Sequence, residues 1–178
     1  MLKPTTYNPL TKFAKSRIVP TENDQFLRKQ LLRGYVHDEG AAFMGGISGN
    51  AGLFSNANDL VKLYQMILDG GTYGGERYLS EKTCKIFTST KSGISRRGLG
   101  FDKPEGQTSK YSPTSYSTPV STYGHTGFTG TCFWIDPEND LIYIFLSNRV
   151  NDSRTHKELM TMRIRERIQE TIYKALDK

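Results

Sequence analysis

Residues 123–148 read YGHTGFTGTCFWIDPENDLIYIFLSN, and this stretch decides the fold. Residues 132–135 and 141–146 are short runs of β-branched and aromatic side chains, of the length that buried strands require. Between them Asp136-Pro137-Glu138-Asn139-Asp140 supplies turn chemistry, because proline fixes φ and Asp and Asn tolerate tight bends. The pattern predicts an antiparallel hairpin over about 124–147. At its mouth stand His125, Thr126 and Gly127, followed by Phe128. A ligand can approach the backbone closely at Gly127, where no Cβ intervenes, while His125 and Thr126 offer hydrogen bonds from the same edge. The same tripeptide also reads as a glycine-rich turn entering a strand. The local sequence leaves both readings open.

Outward from the hairpin, helical periodicity takes over. Thr155 and Glu158 have the spacing of a capping box, and Met160, Ile164, Ile168, Ile172 and Leu176 recur every four residues. This predicts a helix over about 155–176 whose narrow apolar stripe packs on one face of the sheet. Arg163, Glu166, Arg167, Glu170 and Lys174 fall on its other side. A second amphipathic helix is expected over 56–69, with Ser55 as N-cap, Asn56 or Asn58 as alternatives, and Gly70-Gly71 as its end. A shorter helix over 81–87 follows Ser80. The combination is an α+β fold.

The connecting segments are polar. Residues 88–122 form a long excursion rich in Ser and Thr, with a candidate short strand at Gly98-Leu99-Gly100-Phe101. A loop this long either borders a site or is a mobile surface insertion. Residues 1–36 look irregular, with a turn or two of helix through Phe26, Leu27, Gln30 and Leu31 after a cap at Thr21 or Asp24. Val36-His37-Asp38-Glu39 brings two carboxylates and an imidazole together in sequence, but adjacent residues do not converge on a metal, so a solvated loop is expected. The glycines at 40, 45, 46, 49 and 52 match no phosphate-binding pattern and indicate close packing or an unusual loop.

Composition removes several function classes. The 178 residues suffice for one domain with a core, or for part of a larger one. The net charge of +6 is spread along the chain rather than gathered. No nucleic-acid-binding module is recognisable, so no nucleic-acid partner is expected. Cys84 and Cys132 lack metal or redox spacing, so buried thiols are expected and neither a metal nor another cofactor is implied. No apolar run has the length of a transmembrane segment.

The ordered set of motifs is similar to something known. Val36-His37-Asp38-Glu39, the run from Met44 through Gly45-Gly46-Ile47-Ser48-Gly49-Asn50-Ala51-Gly52-Leu53-Phe54-Ser55, and Asp59-Leu60 resemble the serine hydrolases of the class C β-lactamase type. So do Gly98-Leu99-Gly100-Phe101 and Tyr123-Gly124-His125-Thr126-Gly127-Phe128-Thr129-Gly130-Thr131. The resemblance covers most of the chain from about residue 35, and is to bacterial penicillin-binding-protein and β-lactamase-like domains of a kind sometimes fused to a family 3 glycoside hydrolase. It implies acyl transfer on an ester, peptide or β-lactam. It further implies that His125 and Thr126 orient the substrate and that the Phe128 N–H is an oxyanion-hole donor beside Gly127.

The resemblance is incomplete. No Ser in the chain is followed by Lys at the third position, and Thr88-Ser89-Thr90-Lys91 is a near approach with threonine in place of serine. The family's nucleophile motif is therefore absent. The expectation is a single partial domain over residues 1–178, the C-terminal portion of a larger hydrolase in which Met1 is an internal methionine. Such a piece is expected to be inactive alone, to need the N-terminal part of its own domain, and to expose apolar surface suited to dimerisation. A small molecule or cell-wall peptide is the implied substrate, and the family implies a periplasmic or extracytoplasmic setting. The alternative is a non-catalytic peptide- or glycan-binding relative of the same fold.

Overall fold

The computed structural model describes residues 4–106, 109 and 111–176. Its centre is a three-stranded antiparallel sheet built from the opening stretch. A strand at Tyr123–Thr126 pairs with Cys132–Asp136, which pairs in turn with Leu141–Phe145. The expected hairpin forms, with His125 opposite Phe133 and Trp134 opposite Tyr143. The lead-in is a strand in its own right rather than a turn.

In chain order the elements are β1 (Asn23–Asp24), β2 (Gln30–Leu31), α1 (Glu39–Phe43), α2 (Ala57–Leu68), β3 (Thr72–Tyr73) and β4 (Glu76–Arg77). Then come α3 (Glu81–Ser89), β5 (Tyr123–Thr126), β6 (Cys132–Asp136), β7 (Leu141–Phe145), α4 (Glu158–Thr161) and α5 (Ile164–Leu176). The period-2 alternation of β6 sends its side chains to two different cores. Phe133 and Ile135 join Tyr123, Tyr64 and the apolar side of α2, where the Tyr64 and Phe133 rings stack at 4.1 Å. Cys132 and Trp134 turn the other way and pack with Tyr143, Phe145 and Ile172 of α5. Both cysteines are free and buried. Full burial of side chains such as Trp134 and Ile135 stabilises the sheet by about 1.5–3 kcal/mol each.

Several local expectations change. The cap of α2 is Asn56, whose side chain accepts from the Asp59 N–H, rather than Ser55. Ser55 instead hydrogen-bonds Thr5 across the chain. Ser80 caps α3 as expected. Phe26, Leu27 and Leu31 do not make a helix, because the buried Asp24 carboxylate accepts the N–H groups of Phe26, Leu27 and Arg28 and folds the chain into a turn between β1 and β2. Those apolar side chains are exposed and give a helix nothing to bury. Gly98-Leu99-Gly100-Phe101 is not a strand. Single bridges at Asp102 link it to Arg97 and to Gly124 instead.

The C-terminal helix departs most. It begins at Ile164, after the short α4 and a break at Arg163, which sits at φ 51° in the left-handed region. The Thr155/Glu158 capping box does not form, since Arg149 holds the carbonyls of Arg154 and His156 and the Thr155 N–H donates to Ser153. The buried side of α5 is Arg165, Gln169 and Tyr173, with Ile172 beside them, while Ile168 and Leu176 are exposed. Polar partners explain that choice. Gln169 accepts the Ser115 N–H, Glu170 accepts the N–H and hydroxyl of Ser117, and Tyr173 donates to the buried Asp136. The excursion thus packs on α5 through buried Ser112, Thr114, Ser115 and Thr118 instead of trailing over the surface.

Candidate functional site

Strand β5 lies at one end of the sheet order, so one of its edges faces away from β6. Antiparallel pairing alternates the direction of successive peptide groups. Gly124 exchanges both backbone hydrogen bonds with Asp102 on the outer side, at 3.1 and 2.7 Å. Gly127 donates inward to the Thr131 carbonyl at 2.7 Å, which extends the β6 pairing past the end of the strand. By this parity the peptide groups of Thr126 and Phe128 face the outer edge, beyond the point where Asp102 stops covering it. Among the described residues neither the Phe128 N–H nor the Thr126 hydroxyl has a hydrogen-bond partner. Both are free to meet a ligand.

Gly127 is needed where it stands. A Cβ there would lie 2.5 Å from the Thr131 hydroxyl. The turn closes through Gly130, at φ 107°, where a Cβ would meet Ser147, Arg149 and Leu159 all within 3.0 Å.

The chemistry of His125 follows from its two neighbours. Its Nδ1 lies 2.7 Å from the Thr126 carbonyl, which can only accept, so Nδ1 carries the proton. Its Nε2 lies 2.6 Å from Arg97 Nη1, which can only donate, so Nε2 is bare. The ring is therefore neutral and fully engaged. Arg97 in turn lies 3.5 Å from the buried Asp102 carboxylate, whose other oxygen takes Arg96 Nε at 2.8 Å and the Lys103 N–H at 3.0 Å. The result is a series from a buried carboxylate through a guanidinium to an imidazole at the strand edge. Sequence reasoning missed Arg97 because nothing in the spacing ties it to His125, 28 residues on; the signal at hand was its place just before Gly98-Leu99-Gly100-Phe101.

Phe128 connects the edge to a second cluster. Its ring stacks on His37 at 5.5 Å between centroids, and Arg149 lies 4.8 Å over it. Val36-His37-Asp38-Glu39 is thus not a solvated loop. Val36 is buried, Asp38 caps α1, and His37 Nε2 sits 2.7 Å from the buried Glu22. Arg154 grips Glu22 with Nε and Nη2, both at 2.8 Å, and reaches Glu39 with the same Nη2 at 2.8 Å. Burial alone would push the Glu22 carboxyl up, but the Arg154 and His37 hydrogen bonds outweigh it and hold it at about 2. Glu39 is lowered chiefly by its hydrogen bond to Arg154. The arrangement ties residues 22, 37 and 154 together behind the turn that carries Phe128. Sequence reasoning missed this because Glu22 and Arg154 lie in two stretches with no motif.

Of the sequence-predicted site residues, His125, Thr126, Gly127 and Phe128 are brought together at the outer edge of β5 and its turn. Thr88-Ser89-Thr90-Lys91 is not a nucleophile motif in disguise: Ser89 and Thr90 donate to carbonyls one helical turn back, at the end of α3. No group of three or more potential metal ligands occurs among the described residues.

Comparison with known proteins adds the family. The β-lactamase family model matches residues 4–164. A protein of Escherichia coli K12 named "Putative D-alanyl-D-alanine carboxypeptidase" is 39% identical over 157 residues, which cover 82% of this chain and 36% of that protein. A Salmonella newport protein of the same name is 39% identical over 160 residues, 83% of this chain and 37% of its own length. The chain thus spans little more than a third of these relatives. The crystal structure of a β-lactamase from Mycobacterium bovis has 21% sequence identity and a TM-score of 0.46, over 56% of this chain and 38% of that one. With a family model matched along most of its length and relatives at this identity, the chain belongs to the β-lactamase family of serine hydrolases.

Proposed function

We propose that this chain forms one wall of an acyl-transfer site, and that the nucleophile is supplied by a segment outside these 178 residues. The observation that carries the reading is the unpartnered Phe128 N–H on the outer edge of β5, next to the free Thr126 hydroxyl. A backbone donor held in place at a strand edge is what stabilises the oxyanion of a tetrahedral intermediate. Thr126 donates to the substrate's carboxylate or carbonyl. His125, with both nitrogens engaged, holds Arg97 at the edge and so places a positive charge beside that position.

The substrate class we favour is a peptide ending in a free carboxylate, supported by the name of the Escherichia coli relative and by Arg97 at the edge. Simple esters and β-lactams share the same acyl chemistry. Without a serine activated by a neighbouring base, the donor edge binds but does not turn over. The alternative is a peptide- or glycan-binding relative without catalysis, and the same lack of an SxxK supports it. The isolated chain, incubated with a fluorophosphonate or penicillin and weighed intact, is expected to gain no mass. An adduct on any Ser or Thr would overturn the placement of the nucleophile outside the chain.

A further inference from the structure

A cleft of about 610 Å³ opens where β5 begins and β6 ends, bounded by the last turn of α2, by α3 and by the segment around Lys103. It uses none of the residues at positions 125–128. Its apolar walls include Leu68, Cys84, Val120 and Tyr123. Val120 is exposed at the rim, while Cys84 and Tyr123 are buried.

The feature that needs explaining is Lys103. The residue is only 4% exposed, yet among the described residues its ammonium has no carboxylate within ion-pair distance. One of its three donors goes to the Ser121 carbonyl at 3.2 Å, and the charge lies 5.3 Å from the centroid of the Tyr123 ring. The charge that acts on it most is Lys91, of the same sign and on the same cleft. Burial pushes the Lys103 ammonium below its ordinary value and Lys91 adds to the effect. The carboxylates of the cleft do not answer it. Glu105 is exposed and engaged by Arg96 and Ser109, and Glu81 is exposed in the first turn of α3. A buried ammonium left with one carbonyl and an aromatic face is costly unless an anion joins it.

We propose that this cleft binds a small amphiphilic monocarboxylate, its carboxylate between Lys103 and Lys91 and its hydrocarbon body against Leu68, Cys84 and Tyr123. The anion takes the two remaining donors of Lys103 and relieves the repulsion between the two lysines. The apolar walls then exclude water from the ion pair, which strengthens it. This site stands apart from the acyl-transfer reading, so either can fail without the other.

Calorimetric titration of the unaltered chain with octanoate, 1-octanol, acetate and inorganic phosphate tests it. Octanoate is expected to bind at least about tenfold more tightly than each of the other three, a factor equal to about 1.4 kcal/mol. Lys103→Met is expected to remove most of the octanoate affinity, and Lys91→Met, at the more exposed end, to weaken it severalfold. Equal affinity for octanol and octanoate would overturn the role of the charge. Phosphate or acetate binding as tightly as octanoate would overturn the role of the apolar walls, and no octanoate binding would overturn the site itself. Should Lys103→Met fail to fold, the ligand comparison and the Lys91→Met variant still decide the outcome.

Discussion

At the scale of single residues, two neutral-looking facts carry predictions. The first is the tautomer of His125, fixed by a carbonyl on one nitrogen and a guanidinium on the other. Nitrogen-15 spectra of the imidazole are expected to show a protonated Nδ1 and a bare Nε2, and Arg97→Ala to weaken that preference while the Thr126 carbonyl keeps its share of it; the opposite tautomer in the unaltered chain would contradict the geometry. The second is Glu22. Its folded value of about 2 lies below the ordinary 4.5, so the stabilisation it provides is fully present above about pH 4.5 and is lost as the pH falls toward 2. Urea midpoints are expected to drop across that interval, and Glu22→Gln to flatten the drop. Arg154→Met removes the guanidinium from Glu22 and leaves it buried with His37 and the backbone N–H of residue 154, and is expected to cost about 3 kcal/mol in the same assay. Neither cluster was visible beforehand, because its members are far apart in sequence and single ionisable residues carry no periodicity.

Among elements, the sheet and its two covering helices behave as the alternation of residues 132–146 implies. Gly124 leaves no room for a side chain between β5 and β6: a Cβ there would lie 2.0 Å from the Phe133 carbonyl and 2.7 Å from the Trp134 ring. Gly124→Ala is therefore expected to destabilise by about 3 kcal/mol or more, read by thermal unfolding, since a backbone oxygen cannot step aside. On the same face, where α5 packs, Tyr173→Phe takes one donor from Asp136, which keeps the N–H of Glu138 and the side chain of Asn139. The expected loss is about 1–2 kcal/mol by the same measurement. The hairpin, α2 and α3 were legible because each buries a regular apolar pattern. The boundaries of α5 were not, because its inner face is polar and is chosen by partners in the excursion and at the end of β6. The hairpin of β3 and β4 was not read, although its Gly74-Gly75 turn is a usable signal.

For the molecule as a whole, the sheet order ends at β7, and no strand pairs with its outer edge among the described residues. An uncovered edge with the sequence Leu-Ile-Tyr-Ile-Phe is a template for another strand. Light scattering is expected to show self-association that rises with concentration; a monomer at every concentration would argue against an available edge. The four residues at positions 125–128 were readable as a site only through the ordered motifs around them. Their free donors and the Arg97–Asp102 support could come only from the folded chain.

On the proposed reading, this edge completes a site whose nucleophile lies outside the 178 residues. The most direct measurement is intact-mass analysis after fluorophosphonate treatment of the protein extended upstream in its own reading frame, beside the 178-residue chain. One adduct is expected on the extended protein, at a serine followed by lysine at the third position, and none on the shorter chain. An adduct within these 178 residues, or none on the extended protein, would contradict that reading.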